Sequence, residues 1–201
     1  MSNIATAMDL PDTDLNVWFD RRFEEKMTER EAAHTPSMTI IATKGTLDMA
    51  YPPFILASTA AALGWEVSIF FTFYGLSLLK SELDLKVTPL GNPAMPMKLP
   101  DGPAWLKGKE LPVPTALMAL MPGFQNIASG MMKKTMDGKG IARIEELRSL
   151  CLEAEVKLVA CQMTVDLFDY GKEDFIPEIE EWVGAASFLP RALSADVNLF
   201  V

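Results

Sequence analysis

Short, gapless apolar runs alternate along this chain with longer stretches in which apolar residues recur every three or four positions. Residues 38–43 (MTIIAT), 66–72 (EVSIFFT) and 156–161 (VKLVAC) have the length and the branched or aromatic content of strands buried on both faces. Residues 179–183 and 197–201 supply the last two strand segments. Helices are expected between them. After the loop KGTLDMAYPP, Pro52 or Pro53 suits the first turn of a helix that runs through ILASTAAAL and ends at Gly64. A helical turn or two follows between Gly75 and Lys80. Residues 141–155 form a longer helix, with Ile144, Leu147, Leu150 or Cys151, and Ala154 on its apolar face. Thr164 is the expected N-cap of a short helix that Gly171 ends, and a last helix covers residues 185–193. Strand and helix in strict alternation predict an α/β domain whose parallel sheet is covered by helices on both faces.

Two stretches depart from this rhythm. Residues 12–32 are dense in charge, yet Leu15, Trp18, Phe19, Phe23 and Met27 recur at helical spacing, and Thr35-Pro36 disfavours continuation of the helix. This gives an amphipathic N-terminal arm over residues 1–37, set before a domain over 38–201, which packs on its own subunit or on a neighbour. Residues 89–114 are studded with Pro and Gly and predict an irregular excursion. Residues 111–132 then run without a charge, long enough nominally for a membrane span. Pro112, Pro114 and Pro122-Gly123 divide that run, so a buried or subunit-covered segment is the better reading, with peripheral membrane contact left open. Met118, Met121, Met131 and Met132 suit an adaptable apolar surface. Lys133 and Lys134 are expected in the last turn of a helix that Gly138 and Gly140 close.

Composition narrows the function. With 201 residues, 49% hydrophobic and 22% charged, the chain can bury one sizeable core. Its net charge of -9 argues against a nucleic-acid partner, which would call for a basic patch. Two cysteines are too few for a disulfide scaffold, and residues 1–10 lack the basic segment of a secretory signal, so a reducing cytoplasm is the expected location. His34 is the only histidine, so a histidine-rich metal site does not have enough parts unless another chain supplies them.

What remains is thiol chemistry. Cys161 ends a predicted parallel strand, and in open parallel sheets the ligand crevice lies beyond the carboxyl ends of the strands. The helix that starts within a few residues points N–H groups toward a thiolate and favours it, whereas Asp166 and Asp169 oppose it. The alternative is a small buried hydrophobe, which free cysteine often is. Cys151 reads first as a packing residue of its amphipathic helix, with a role as a second, resolving thiol left open. Thr43, Lys44, Gly45, Thr46 and Asp48 share the sheet edge of Cys161 and are candidate crevice residues together with Gln162, Met163 and Thr164. Lys44-Gly45-Thr46 lacks the upstream glycine of a P-loop. Lys44 is either a source of positive potential for that crevice or a solvated loop lysine.

Several longer motifs carry a family resemblance. TIIATKGTLDMAYPPFILASTAAALGWEVSIFFTFYGLSLL, the MPG and MMKK of residues 121–134, VKLVACQMTVDLF and the closing ADVNLFV together resemble the DsrE/DsrF-like sulfur-relay proteins, in their larger DsrE-like branch. The resemblance spans roughly residues 38–201. It implies a three-layer α/β/α fold with a mainly parallel five-stranded sheet, homo-oligomerisation, and no metal or organic cofactor. It also implies that a cysteine matched by Cys161 accepts sulfane sulfur as a persulfide and hands it to another thiol, so the partners are sulfur donors and acceptors, either proteins or low-molecular-weight thiols. The arm falls outside the common domain. Some members of the branch carry a second functional cysteine with no secure match to Cys151. The peroxiredoxin label sometimes given to this branch does not extend to peroxidase activity, since no feature here supplies an arginine-flanked peroxidatic cysteine. A noncatalytic assembly or membrane-docking subunit that uses residues 111–132 is the competing reading.

Overall fold

The computed structural model describes residues 12–88 and 123–201, which form two compact units that divide between Thr35 and Pro36. The first holds helix α1 (Asp12–Ala33), whose charged side chains pair one turn apart, Arg22 with Glu25 and Lys26 with Glu29, while Phe19 and Phe23 stack. The second holds the sheet. In chain order its elements are β1 (Ser37–Ala42), α2 (Leu47–Ala62), β2 (Glu66–Phe71), a 3₁₀ segment (Phe73–Leu79), α3 (Phe124–Gly138), α4 (Ile144–Glu153), β3 (Lys157–Cys161), α5 (Gln162–Leu167), β4 (Glu181–Val183), α6 (Ala185–Ser194) and β5 (Val197–Phe200). The strands lie in the order β4-β3-β2-β1-β5, and every neighbouring pair is parallel.

This order determines where the helices sit. From β1 to β4 each connection steps the same way across the sheet, and right-handed crossovers then place the intervening helices on one face. The connection from β4 back to β5 runs the other way, so α6 covers the opposite face. Packing follows the two-residue period of the strands. Ile40, Ala42, Ile69, Phe71, Leu158 and Ala160 face the main core with Phe54 of α2 and Ile144, Leu147 and Cys151 of α4. Phe70, Val159 and Cys161 face the other way, in a smaller cluster with Phe188 of α6. The result is a three-layer α/β/α sandwich with a five-stranded parallel sheet. Arg148 ties α4 to the 3₁₀ segment by donating to the carbonyls of Leu78 (3.1 Å) and Lys80 (2.7 Å).

Helix ends account for most differences from the sequence pattern. Helix α2 begins at Leu47, with the amides of Met49 and Ala50 donating to Thr46. Pro52 and Pro53 therefore fall inside the helix instead of in its first turn, at the cost of two N–H donors. Gly64, at φ 83°, ends α2 as the pattern indicates, with the Trp65 amide donating to Ala60. Gly140, at φ 69°, does the same for α3. Because α3 continues to Gly138, Lys133 and Lys134 sit in its middle and not in its last turn. The short helix after β3 starts directly at Gln162 and ends at Leu167 with Phe168 as its C-cap, ahead of Gly171. Asp169 takes φ 52°, and the Tyr170 amide donates to Val165 to close the turn.

The arm's first residues, the excursion over 89–114 and most of the uncharged run over 111–132 lie outside the described residues. Among those described, no helix is long and apolar enough to cross a membrane.

Candidate functional site

Cys161 is the last residue of β3 and the N-cap of α5, with φ −78° and ψ 105°. Strand passes into helix without a loop. The extended backbone at Cys161 lets the amides of the first helical turn face the end of the strand, where they have no carbonyl partners within the helix. The expected N-cap, Thr164, is instead the third residue of the helix. It is fully buried because its hydroxyl lies 3.2 Å from that of Thr72 and accepts the Phe73 amide at 3.3 Å. Three segments meet there: the end of β2, the start of the 3₁₀ segment and the start of α5.

The thiol is enclosed. Only 3% of Cys161 is exposed, and it belongs to the cluster of Phe70, Val159 and Phe188, flanked by Ile41, Val183 and Ala192. The rings of Phe70 and Phe188 stack with centroids 4.6 Å apart and planes 14° apart. Val183 pairs with Cys161 in the sheet, and Gly184 then opens α6 beside it. Met163 and Leu167, one turn apart on α5, are exposed. Tyr74, also exposed, stacks on Phe168 at 6.0 Å.

The other candidate residues separate into two groups. Gln162, Met163 and Thr164 follow Cys161 directly, and Gln162 donates to Asp166 at 2.7 Å. Thr43, Lys44 and Gly45 lie beyond the end of β1. The registers Ala42 with Phe71 and Phe71 with Ala160 put Thr43, Thr72 and Cys161 level on successive strands. Two strand spacings, about 9–10 Å, therefore separate Thr43 from Cys161. Thr43 donates its hydroxyl to Val201, Lys44 is exposed, and Gly45 packs against Tyr74 and Ser77. Asp48 accepts from Thr88 at 3.1 Å, with its other carboxylate oxygen buried and without a hydrogen bond.

Cys151 is fully buried, with its Sγ donating to the Phe54 carbonyl at 3.5 Å. Burial pushes its thiol up to about 12, so it is neutral at physiological pH. It packs on the α2 and α4 face, across the sheet from Cys161.

Sequence reasoning passed over Thr72, Phe188 and Arg191. Thr72 was legible only as the end of a strand. Phe188 and Arg191 lie nearly thirty residues after Cys161 and reach its face of the sheet only because α6 crosses back over it. Arg191 is committed to Glu181, at 2.6 Å. A thiol set at a strand end and clustered with two phenylalanine rings suits nucleophilic sulfur chemistry in a partly dry setting.

The profile of the DsrE/DsrF/DrsH-like family matches residues 34–200. The sulfur carrier protein DsrE2 of Allochromatium vinosum is 57% identical over 164 residues, which is 82% of this chain and 97% of that protein. The uncharacterized protein YrkE of Bacillus subtilis is 31% identical over 176 residues, 87% of this chain and 100% of its own length.

Proposed function

The chain belongs to the DsrE/DsrF/DrsH-like family, and from that premise we propose that it relays sulfane sulfur as a persulfide on Cys161. The observation that carries this reading is the placement of Cys161 at the junction of β3 and α5, in a chain that a protein named as a sulfur carrier matches over 82% of its length. The Cys161 thiolate attacks the outer sulfur of a donor persulfide. The donor's sulfur–sulfur bond breaks, its own thiolate leaves, and a new sulfur–sulfur bond forms on Cys161. An acceptor thiolate then attacks that same outer sulfur and regenerates the Cys161 thiolate. No electrons enter or leave the cycle, and it calls on no metal or organic cofactor. Donor and acceptor are protein thiols or low-molecular-weight thiols. Both cysteines are free, which suits a reducing cytoplasm, and a homo-oligomer over residues 38–201 with a separate arm completes the reading.

Incubation with a persulfide donor followed by intact-mass measurement tests this. The wild type gains the mass of one sulfur atom, cyanide removes it as thiocyanate, and Cys161→Ser gains nothing. Equal loading of the Ser variant would move the site elsewhere.

A further inference from the structure

Cys161 is nearly inaccessible in the closed fold, yet a sulfur carrier has to meet two other sulfur atoms in each cycle. We infer that Phe188 is a gate over Cys161 that withholds the bound sulfur from small nucleophiles and opens by displacement of α6. This inference rests on the persulfide reading of the same site. In the cluster of Phe70, Val159, Cys161 and Phe188, the first three belong to the sheet. Phe188 is the one that comes from a helix, so the wall it forms is the movable one. Its ring is held by the stack on Phe70, and Ala192, one turn further along α6, packs against the same cluster.

The gate is built on short elements at the sheet edge. Strand β4, which leads into α6, is three residues long and stands at the edge of the sheet. Pro190 lies inside α6 and has no N–H to give Ala186. Short, weakly bonded edge elements open locally at lower cost than core strands do. Cys151, by contrast, is carried by α4 and buried in the main core against α2.

The chemistry gives this gate a use. A persulfide is discharged by any thiolate that reaches its outer sulfur, and a carrier open to every small thiol would lose its cargo before meeting an acceptor. An aromatic wall that must be displaced lets discharge depend on what moves α6. Phe188 is a positioning residue in this scheme: it controls access to the nucleophile and takes no part in bond exchange.

The experiment compares carbamidomethylation of Cys161 and Cys151 by iodoacetamide in the sulfur-free wild type and in Phe188→Ala, read by peptide mass. Cys161 in the variant reacts about tenfold faster, the shift expected when a stacked aromatic pair is lost from a local opening equilibrium, with Cys151 as slow as in the wild type. Sulfur-loaded Phe188→Ala likewise releases thiocyanate to cyanide about tenfold faster than the loaded wild type. Unchanged Cys161 reactivity, or wild-type Cys161 already reacting like a free peptide thiol, overturns the gate. If Cys151 accelerates as well, the alanine variant has loosened the whole core, and Phe188→Leu decides by the same comparison: a faster Cys161 beside a slow Cys151 sustains the gate, and two unchanged rates refute it. Because the alkylation arm needs no bound sulfur, it stands apart from failure of the loading experiment.

Discussion

The sheet stands between Cys151 and Cys161. Cys161 ends β3 with its side chain toward Phe188, while Cys151 packs from α4 against the reverse face and donates to the Phe54 carbonyl. Ten residues of sequence separate them, but the folded chain gives them no common space.

It follows that the two cysteines do not form a disulfide within one folded subunit, since the bond requires Cα atoms about 4.4–6.8 Å apart and side chains directed at each other. Mild oxidation of the native protein should leave the monomer without the loss of two hydrogens that an internal disulfide produces. Any covalent dimer should run through Cys161 and be absent in Cys161→Ser. An internal disulfide found by peptide mapping of folded protein would refute this arrangement.

Cys151 also sets an alkaline limit on stability. Burial raises its thiol from 9.0 to about 12, so the folded state holds that proton more tightly than the unfolded chain. The contribution is fully present below about pH 9 and is lost as pH rises toward 12, with a slope of up to about 1.4 kcal/mol per pH unit. The Tyr51 hydroxyl is raised by burial and by nearby Glu145 and Asp137, and acts in the same direction. Urea unfolding across this range should therefore show a shallower decline in Cys151→Ala than in the wild type. Parallel declines would mean that the thiol ionises without penalty.

Gly75 and Gly130 should answer alanine substitution with opposite signs. A Cβ on Gly75 would meet the Ala42 carbonyl oxygen at 2.2 Å and its carbon at 2.8 Å, both backbone atoms of β1. The Gly75 amide also donates to Thr43, so the 3₁₀ segment cannot draw back without breaking that bond. Overpacking of this kind costs roughly 1–3 kcal/mol. Gly130 lies inside α3 with open space at its Cβ position, and alanine there should add about 0.5–1 kcal/mol through helix propensity. Chemical denaturation of the two variants measures both effects.

The alternating pattern carried the strands, their parallel arrangement and the covering helices, because burial on both faces demands unbroken apolar runs and a crossover helix demands its own periodicity. Gly64 was legible as a terminator for a similar reason: its left-handed backbone excludes most other residues. Asp169 was not, since an aspartate in that conformation depends on the turn around it, and Gly171 two residues later was the more obvious stop. Thr164 looked like a cap because its hydroxyl is a good one, but the proximity of Thr72 and Phe73 gave that hydroxyl another use.

The sequence by itself determined that a cysteine stands at the end of a buried strand where a helix begins, a local fact written in VKLVACQMT. Only the tertiary structure decided which face each thiol occupies, that β2 separates Lys44 from Cys161, and that Phe188 shares a buried cluster with Cys161. The physical reason is that faces and neighbours depend on strand order and crossover direction. Those are settled by packing among segments far apart in the chain, and no local periodicity records them.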